Sequence, residues 1–109
     1  MVKPLVYTIY VIELGPSAMG DPLFEHELRD DALPCLYVGS TAKDVYVRHD
    51  EHCCKDRMST GHAVRKHGSR GLRLDLAGGR YARTRPKAVE IERRLAEVLR
   101  RQGYGVAQH

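Results

Sequence analysis

At 109 residues and 12.3 kDa, with 42% hydrophobic and 29% charged residues, the chain suits one small domain with a single aliphatic and tyrosine core, which excludes a large multilayer enzyme and wholesale disorder. The formal net charge of +4 divides unevenly: residues 1–34 hold Lys3 and Arg29 against six carboxylates, net −4, whereas residues 35–109 hold sixteen basic and eight acidic groups, net +8. The longest apolar stretch, Leu5 to Leu14, is broken by Thr8 and Glu13, too short for the roughly 20 residues of a membrane span and too charged for a signal peptide.

No membrane partner is therefore expected. Three cysteines, Cys35, Cys53 and Cys54, occur without a CxxC pair; they suit a reducing compartment, and the expected location is the cytoplasm. The basic portion fits a polyanion partner and, equally, a solvated surface.

Val6 to Leu14 is β-branched and aromatic on both alternating faces, which predicts a strand covered on both sides. Residues 15–34 carry Gly15, Pro16, Gly20, Pro22 and Pro34 among carboxylates and read as an exposed acidic insertion with one helical turn near Leu23 to Leu28. Cys35 to Ser40 predicts a second strand, paired with the first. Thr41, with Asp44 three residues later, predicts a capped helix over about 42–57. Ser59 or Thr60 is expected to cap a shorter helix to about His67, and Leu72 to Leu76 alternates like a strand. After Pro86 the spacing of Ala88, Ile91, Leu95, Val98 and Leu99 predicts a helix over 87–102, closed by Gly103. The sum is an α+β fold: a small three-stranded mixed or antiparallel sheet flanked by helices, in one domain over 1–109.

On this last helix most charges fall away from the apolar arc. Glu92 does not: it projects roughly 20 degrees from Leu99, at the edge of the core-facing arc, where a carboxylate needs an arginine partner, a metal or a raised pKa. On the first helix Arg48 and His52 are four apart and share a basic stripe. An Arg and a His aimed across a sheet at a carboxylate and tyrosines would form a phosphate-sized site. His49, His52, Cys53 and Cys54 offer a competing zinc reading, although their spacing is not that of a known finger.

These residues carry a resemblance. Thr8-Ile9-Tyr10, then Leu36-Tyr-Val-Gly-Ser-Thr-Ala-Lys-Asp44, then Arg48 and His52, and finally Ala88-Val-Glu-Ile-Glu92 resemble the GIY-YIG nuclease family across most of the chain, and Val64-Arg-Lys-His-Gly68 resembles the connecting segment of some members. The resemblance implies a metal-dependent endonuclease hydrolysing phosphodiester bonds of DNA, with one Mg²⁺ or Mn²⁺ ion. It matches Tyr10 and Tyr37 to the two motif tyrosines, Arg48 and His52 to the helix arginine and histidine, and Glu92 to the metal-binding glutamate. One tyrosine would take a proton from water, with Tyr37 favoured as the base and Tyr10 as its positioning partner. Since no recognition domain is present in 109 residues, cutting is expected to be structure-selective or weakly sequence-specific, or directed by a second subunit or partner protein.

The sequence departs from the family pattern in four places. Thr8 stands for the first motif glycine, the 11–36 connection is long and acidic, Arg48 lies one position late after Tyr37, and the C-terminal asparagine of many members has no counterpart. These departures motivate an alternative, a catalytically inactive module of the same fold that binds nucleic acid or protein.

Overall fold

A computed structural model describes residues 6–53 and 66–108, the side chains of 50–53 excepted. The chain builds a mixed five-stranded sheet from β1 (Tyr7–Leu14), β2 (Cys35–Thr41), β3 (Ser69–Leu72), β4 (Tyr81–Ala82) and β5 (Gly105–Gln108). The described α-helices are α1 (Val45–Cys53), the single turn α2 (Leu74–Ala77) and α3 (Arg85–Arg101). Central β1 pairs antiparallel with β2 on one side; its other edge is shared by β3, near Ile12 to Leu14, and β4, at Tyr7 and Thr8. Strand β5 lies parallel to β2, since α3 reverses the chain between them.

An α+β domain is thus present, but the sheet has five strands, not three. Two were missed because they are short: β4 has two residues, and β5 follows Gly103 closely enough to read as a tail. The predicted strand Leu72 to Leu76 is displaced. Strand β3 ends at Leu72, and Leu74–Ala77 is a helical turn, because the alternating Arg73 and Asp75 pair with each other at 3.0 Å instead of sharing the wet face of a strand. The helical turn expected near Leu23 to Leu28 is replaced by 3₁₀ turns at Pro16–Gly20 and Pro22–Phe24, each with proline in its first turn. The expected helix from Ser59 or Thr60 lies outside the described residues.

Both sheet faces are covered, as the doubly apolar pattern of β1 requires. On one face Ile9, Val11, Leu36, Val38 and Val106 meet Ala88, Leu95, Ala96 and Leu99 of α3. On the other Tyr10, Ile12, Leu14, Cys35 and Tyr37 meet Ala18 and Phe24 of the acidic insertion, with Val45 of α1 against them. The insertion is therefore half of the core cover, not a free loop. Arg29 fastens it, donating to the carbonyls of Gly103 (2.9 Å), Leu33 (2.8 Å) and Asp30. It is rooted at the Leu14 and Cys35 ends of β1 and β2, about 17 Å along the strand from Ser40 at 3.3–3.4 Å per residue.

A second fastening joins the insertion to residues 66–68. His67 Nε2 lies 2.8 Å from Asp21 Oδ2, and Nδ1 lies 2.8 Å from Ser17 Oγ. An ionised carboxylate only accepts, so Nε2 carries the donated proton, and in the neutral ring Nδ1 accepts from the Ser17 hydroxyl. Gly15 allows the approach: its N–H donates to Gly68 O at 3.0 Å, and a Cβ there would stand 2.3 Å from His67 O. The Leu23 N–H, then His67 and Lys66, hold the Asp21 carboxyl down to about 2, with burial opposing them. A depressed carboxylate stabilises the fold above its ordinary pKa of 3.8 and loses that contribution as pH falls toward 2. Thermal melts of Asp21→Asn should lie below wild type at neutral pH, with the gap closing between about pH 4 and 2; a gap independent of pH would show that the carboxylate charge does not act here.

Candidate active site

The site forms where the Tyr10 region of β1 meets the C-terminal end of β2. Register sets Tyr10 opposite Gly39, and the tyrosine ring lies across the glycine. A Cβ on Gly39 would stand 2.6 Å from the Tyr10 hydroxyl oxygen and 2.7 Å from Cζ. The glycine of Tyr37-Val-Gly39 is thus the space that the first tyrosine occupies. Tyr10 and Tyr37 are 2% and 3% exposed, with ring centroids 6.3 Å apart and planes tilted by 40°.

Arg48 reaches this pair from α1. The expected start of that helix near Ala42 is corrected: Thr41 ends β2, and its hydroxyl accepts instead from Lys43 N at 3.0 Å. Asp44 takes over the helix start, accepting from Tyr46 N at 2.9 Å with its carboxylate and from Arg48 N at 3.0 Å with its carbonyl. The late start offsets the late position of Arg48, whose guanidinium comes within hydrogen-bonding reach of the Tyr10 hydroxyl. His52 lies in α1, but its side chain is outside those described.

Glu92 comes from the middle of α3. The buried stripe of this helix is Ala88, Glu92, Leu95, Ala96 and Leu99, while Val98 is 41% exposed. The apolar arc is therefore rotated from the one expected through Ile91 and Val98, and Glu92 sits inside it, not on its edge. The signal for this was Ala96, a small residue that extends the stripe past the glutamate. Glu92 is 1% exposed, and neither carboxylate oxygen has a hydrogen-bond partner among the described residues. The Ser40 hydroxyl is near enough to favour the ionised form without completing a hydrogen bond, and it accepts from Arg85 Nη1 at 3.0 Å. Burial pushes the Glu92 carboxyl up to about 6, against the opposing charge of Arg85 and the Ser40 hydroxyl.

These groups act on one another. Burial raises the Tyr10 hydroxyl pKa, and Glu92 adds to it; Arg48 opposes by charge and hydrogen bonding, and the nearby Tyr37 hydroxyl opposes weakly without completing a hydrogen bond. Burial, Tyr10 and Glu92 raise Tyr37 well above its ordinary value, with Arg48 opposing by charge alone. The pair is asymmetric: burial disfavours phenolate on both tyrosines, and less on Tyr10, where Arg48 opposes it by hydrogen bonding as well as by charge. Beside them opens a cavity of about 330 Å³ lined by Tyr10, Ser40, Thr41, Lys43, Arg48 and Arg85. Sequence reasoning missed Ser40 and Arg85; the one signal at Arg85 is its place before Pro86 at a helix start.

Among the described residues no group of three or more His, Cys, Asp or Glu gathers as a metal site. A single magnesium ion needs less, because it keeps several waters and takes one or two carboxylates plus substrate phosphates. Glu92 fits that demand, as a buried carboxylate with two unbonded oxygens. Of the zinc candidates, His49 Nε2 is instead 2.7 Å from Ser69 Oγ; Cys54 and the side chains of His52 and Cys53 lie outside the described residues. No family model matches the chain, and neither the curated proteins nor the solved structures include a match.

Two substitutions test this geometry. Gly39→Ala should force the Tyr10 ring to move and cost about 1–3 kcal/mol, the usual range for overpacking; an unchanged denaturation midpoint would mean that the ring is not confined there. Glu92 has a folded pKa above its ordinary value of 4.5, so its contribution to stability declines as pH rises from 4.5 through 6. In metal-free buffer Glu92→Gln should abolish this decline and melt higher than wild type above pH 6; parallel curves for the two proteins would rule out a buried carboxylate.

Proposed function

We propose that the chain is a metal-dependent phosphodiesterase acting on DNA, a nuclease of GIY-YIG type. The observation that carries the reading is the gathering of Tyr10, Tyr37 and Arg48, from β1, β2 and α1, beside a cavity with basic walls, with the buried Glu92 of α3 near enough for its charge to act on both tyrosines. Core packing alone has no use for a carboxylate without hydrogen bonds inside an apolar stripe.

The asymmetry of the tyrosines favours Tyr10 as general base over Tyr37. Arg48 opposes the burial-driven rise on Tyr10 by charge and hydrogen bonding but on Tyr37 by charge alone, and Tyr10 lines the cavity whereas Tyr37 does not. Tyr10 takes the proton from the attacking water, and the Tyr37 ring packs against Tyr10 and holds its orientation. Arg48 offsets charge on the phosphoryl oxygens as the pentacovalent transition state forms. Glu92 holds the divalent ion; when bound, magnesium supplies a Lewis acid that polarises a phosphate oxygen and stabilises the leaving oxygen. His52 retains only its motif position as grounds for a role.

A second reading, a nucleic-acid-binding or interaction module without hydrolysis, is favoured by one observation: both Glu92 oxygens are buried, so ion entry requires local opening. Nicking of plasmid and branched DNA with Mg²⁺ separates the two. Wild type should cut, and Tyr10→Phe, Arg48→Ala and Glu92→Ala should each lower the rate by at least about 100-fold, the scale of losing a transition-state contact. Salt-dependent DNA binding without cleavage would establish the second reading, and equal cutting by the Glu92 variant would contradict the role given to Glu92.

A further inference from the structure

The apolar arc of α3 is wider than its cover. Ala88, Leu95 and Leu99 meet the sheet, whereas Ile91 is half-buried and Val98 is 41% exposed. Beside them β4 presents Tyr81, 57% exposed. Ile91, Val98 and Tyr81 wall an open groove of about 480 Å³, to which Leu95 and the exposed Arg80 and Arg94 also contribute. Both cations can answer a carboxylate. Arg80 Nη1 donates to Ala77 O at 2.9 Å, and Arg80 forms no ion pair among the described residues. Arg94 meets Glu90 at 2.7 Å across one helical turn, an exposed pairing that is worth little and readily traded, and Glu90 would keep Lys87 at 3.6 Å.

The complement to this groove lies elsewhere on the same chain. In the acidic insertion Leu23 and Leu28 are 61% and 58% exposed, among the exposed carboxylates of Glu25, Glu27, Asp30 and Asp31. Leu28 stands on a fixed turn. The His26 ring donates from Nε2 to Tyr104 O at 2.7 Å and accepts at Nδ1 from Leu28 N at 3.2 Å, and Arg29 ties the next position to the carbonyls of Gly103 and Leu33. A leucine held out in this way loses little conformational freedom on docking. The insertion covers the Tyr10 face of the sheet and the groove lies on the α3 face, so one copy cannot seat its own insertion in its own groove.

We propose that the groove between α3 and β4 takes the acidic insertion of a second copy of this chain, Leu28 entering among Ile91, Val98 and Tyr81 while Glu25 and Glu27 face Arg80 and Arg94. The contact joins two different surfaces, so copies associate head to tail. It is independent of the nuclease reading, and its small area makes it weak and transient.

Sedimentation velocity of the full chain in reducing buffer, from about 10 μM to about 1 mM to span weak affinities, should show a weight-average mass rising above the 12.3 kDa of the monomer. Leu28→Asp removes the inserted side and Val98→Asp the receiving side, with Tyr81→Asp as a second receiving-side change. All three positions are exposed, so circular dichroism should match wild type, and each variant alone should stay monomeric. Mixed in equal amounts, Leu28→Asp and Val98→Asp retain one intact groove and one intact insertion between them, and they should form a 1:1 dimer that grows no further. Monomeric wild type throughout, self-association surviving in any of the variants, or a mixture that stays monomeric would overturn the proposal. Uptake of anilinonaphthalene sulfonate by monomeric wild type, lost in Val98→Asp, would also overturn it and make the occupant a small apolar anion.

Discussion

The arrangement depends on a carboxylate kept where water cannot reach it. Glu92 occupies the buried stripe of α3 among alanines and leucines, with no hydrogen bond to either oxygen among the described residues. A charged group in that setting costs several kcal/mol unless it is paired or protonated, and the carboxyl responds by holding its proton up to about pH 6. Ser40 and Arg85, at the nearby strand end and helix start, soften the penalty without removing it. The fold thus carries a local conflict that a divalent ion would resolve, and such conflicts concentrate at functional sites.

The surrounding sheet explains how that conflict is held in place. Two apolar faces on β1 demand two covers, and α3 supplies one while the acidic insertion and α1 supply the other. Because side chains alternate along a strand, Ile9 and Val11 anchor α3 whereas Tyr10 points to the opposite face. The site therefore wraps around the end of the sheet: tyrosines on one face, Glu92 and Ser40 toward the other, and basic side chains from α1 and α3 at the rim. The charge split has a spatial counterpart. The acidic insertion is rooted at the far ends of β1 and β2, and its Asp21 is paired with Lys66 and His67, while the charged residues of the described cavity lining are Lys43, Arg48 and Arg85.

Much of this was legible in the sequence, and for definite reasons. Strand β1, the long helix and the outlying Glu92 follow from periodicity alone, which is reliable for long, strongly patterned segments. The five-stranded sheet was not legible, because β4 and β5 are too short to show alternation and owe their existence to pairing with β1 and β2. The start of α1 depended on a competition: Thr41 is a good cap by type, but pairing with Thr8 keeps it in β2 and passes the cap to Asp44. Of the candidate site residues, the tyrosines and Arg48 are drawn together by strand register and that delayed helix start. Neither cause is visible as a motif. Arg85 escaped notice because its importance lies in reach across to Ser40, a contact 45 residues away in sequence.

The central claim is that Glu92 is held unsatisfied in order to take a divalent cation, and it can be measured without any substrate. Calorimetric titration of Mn²⁺ into the full chain at pH 7.5, where the carboxyl is ionised, should show one site in wild type that is lost in Glu92→Gln, with the variant still folded by circular dichroism. Equal binding by the two proteins, or no binding by wild type, would contradict the account.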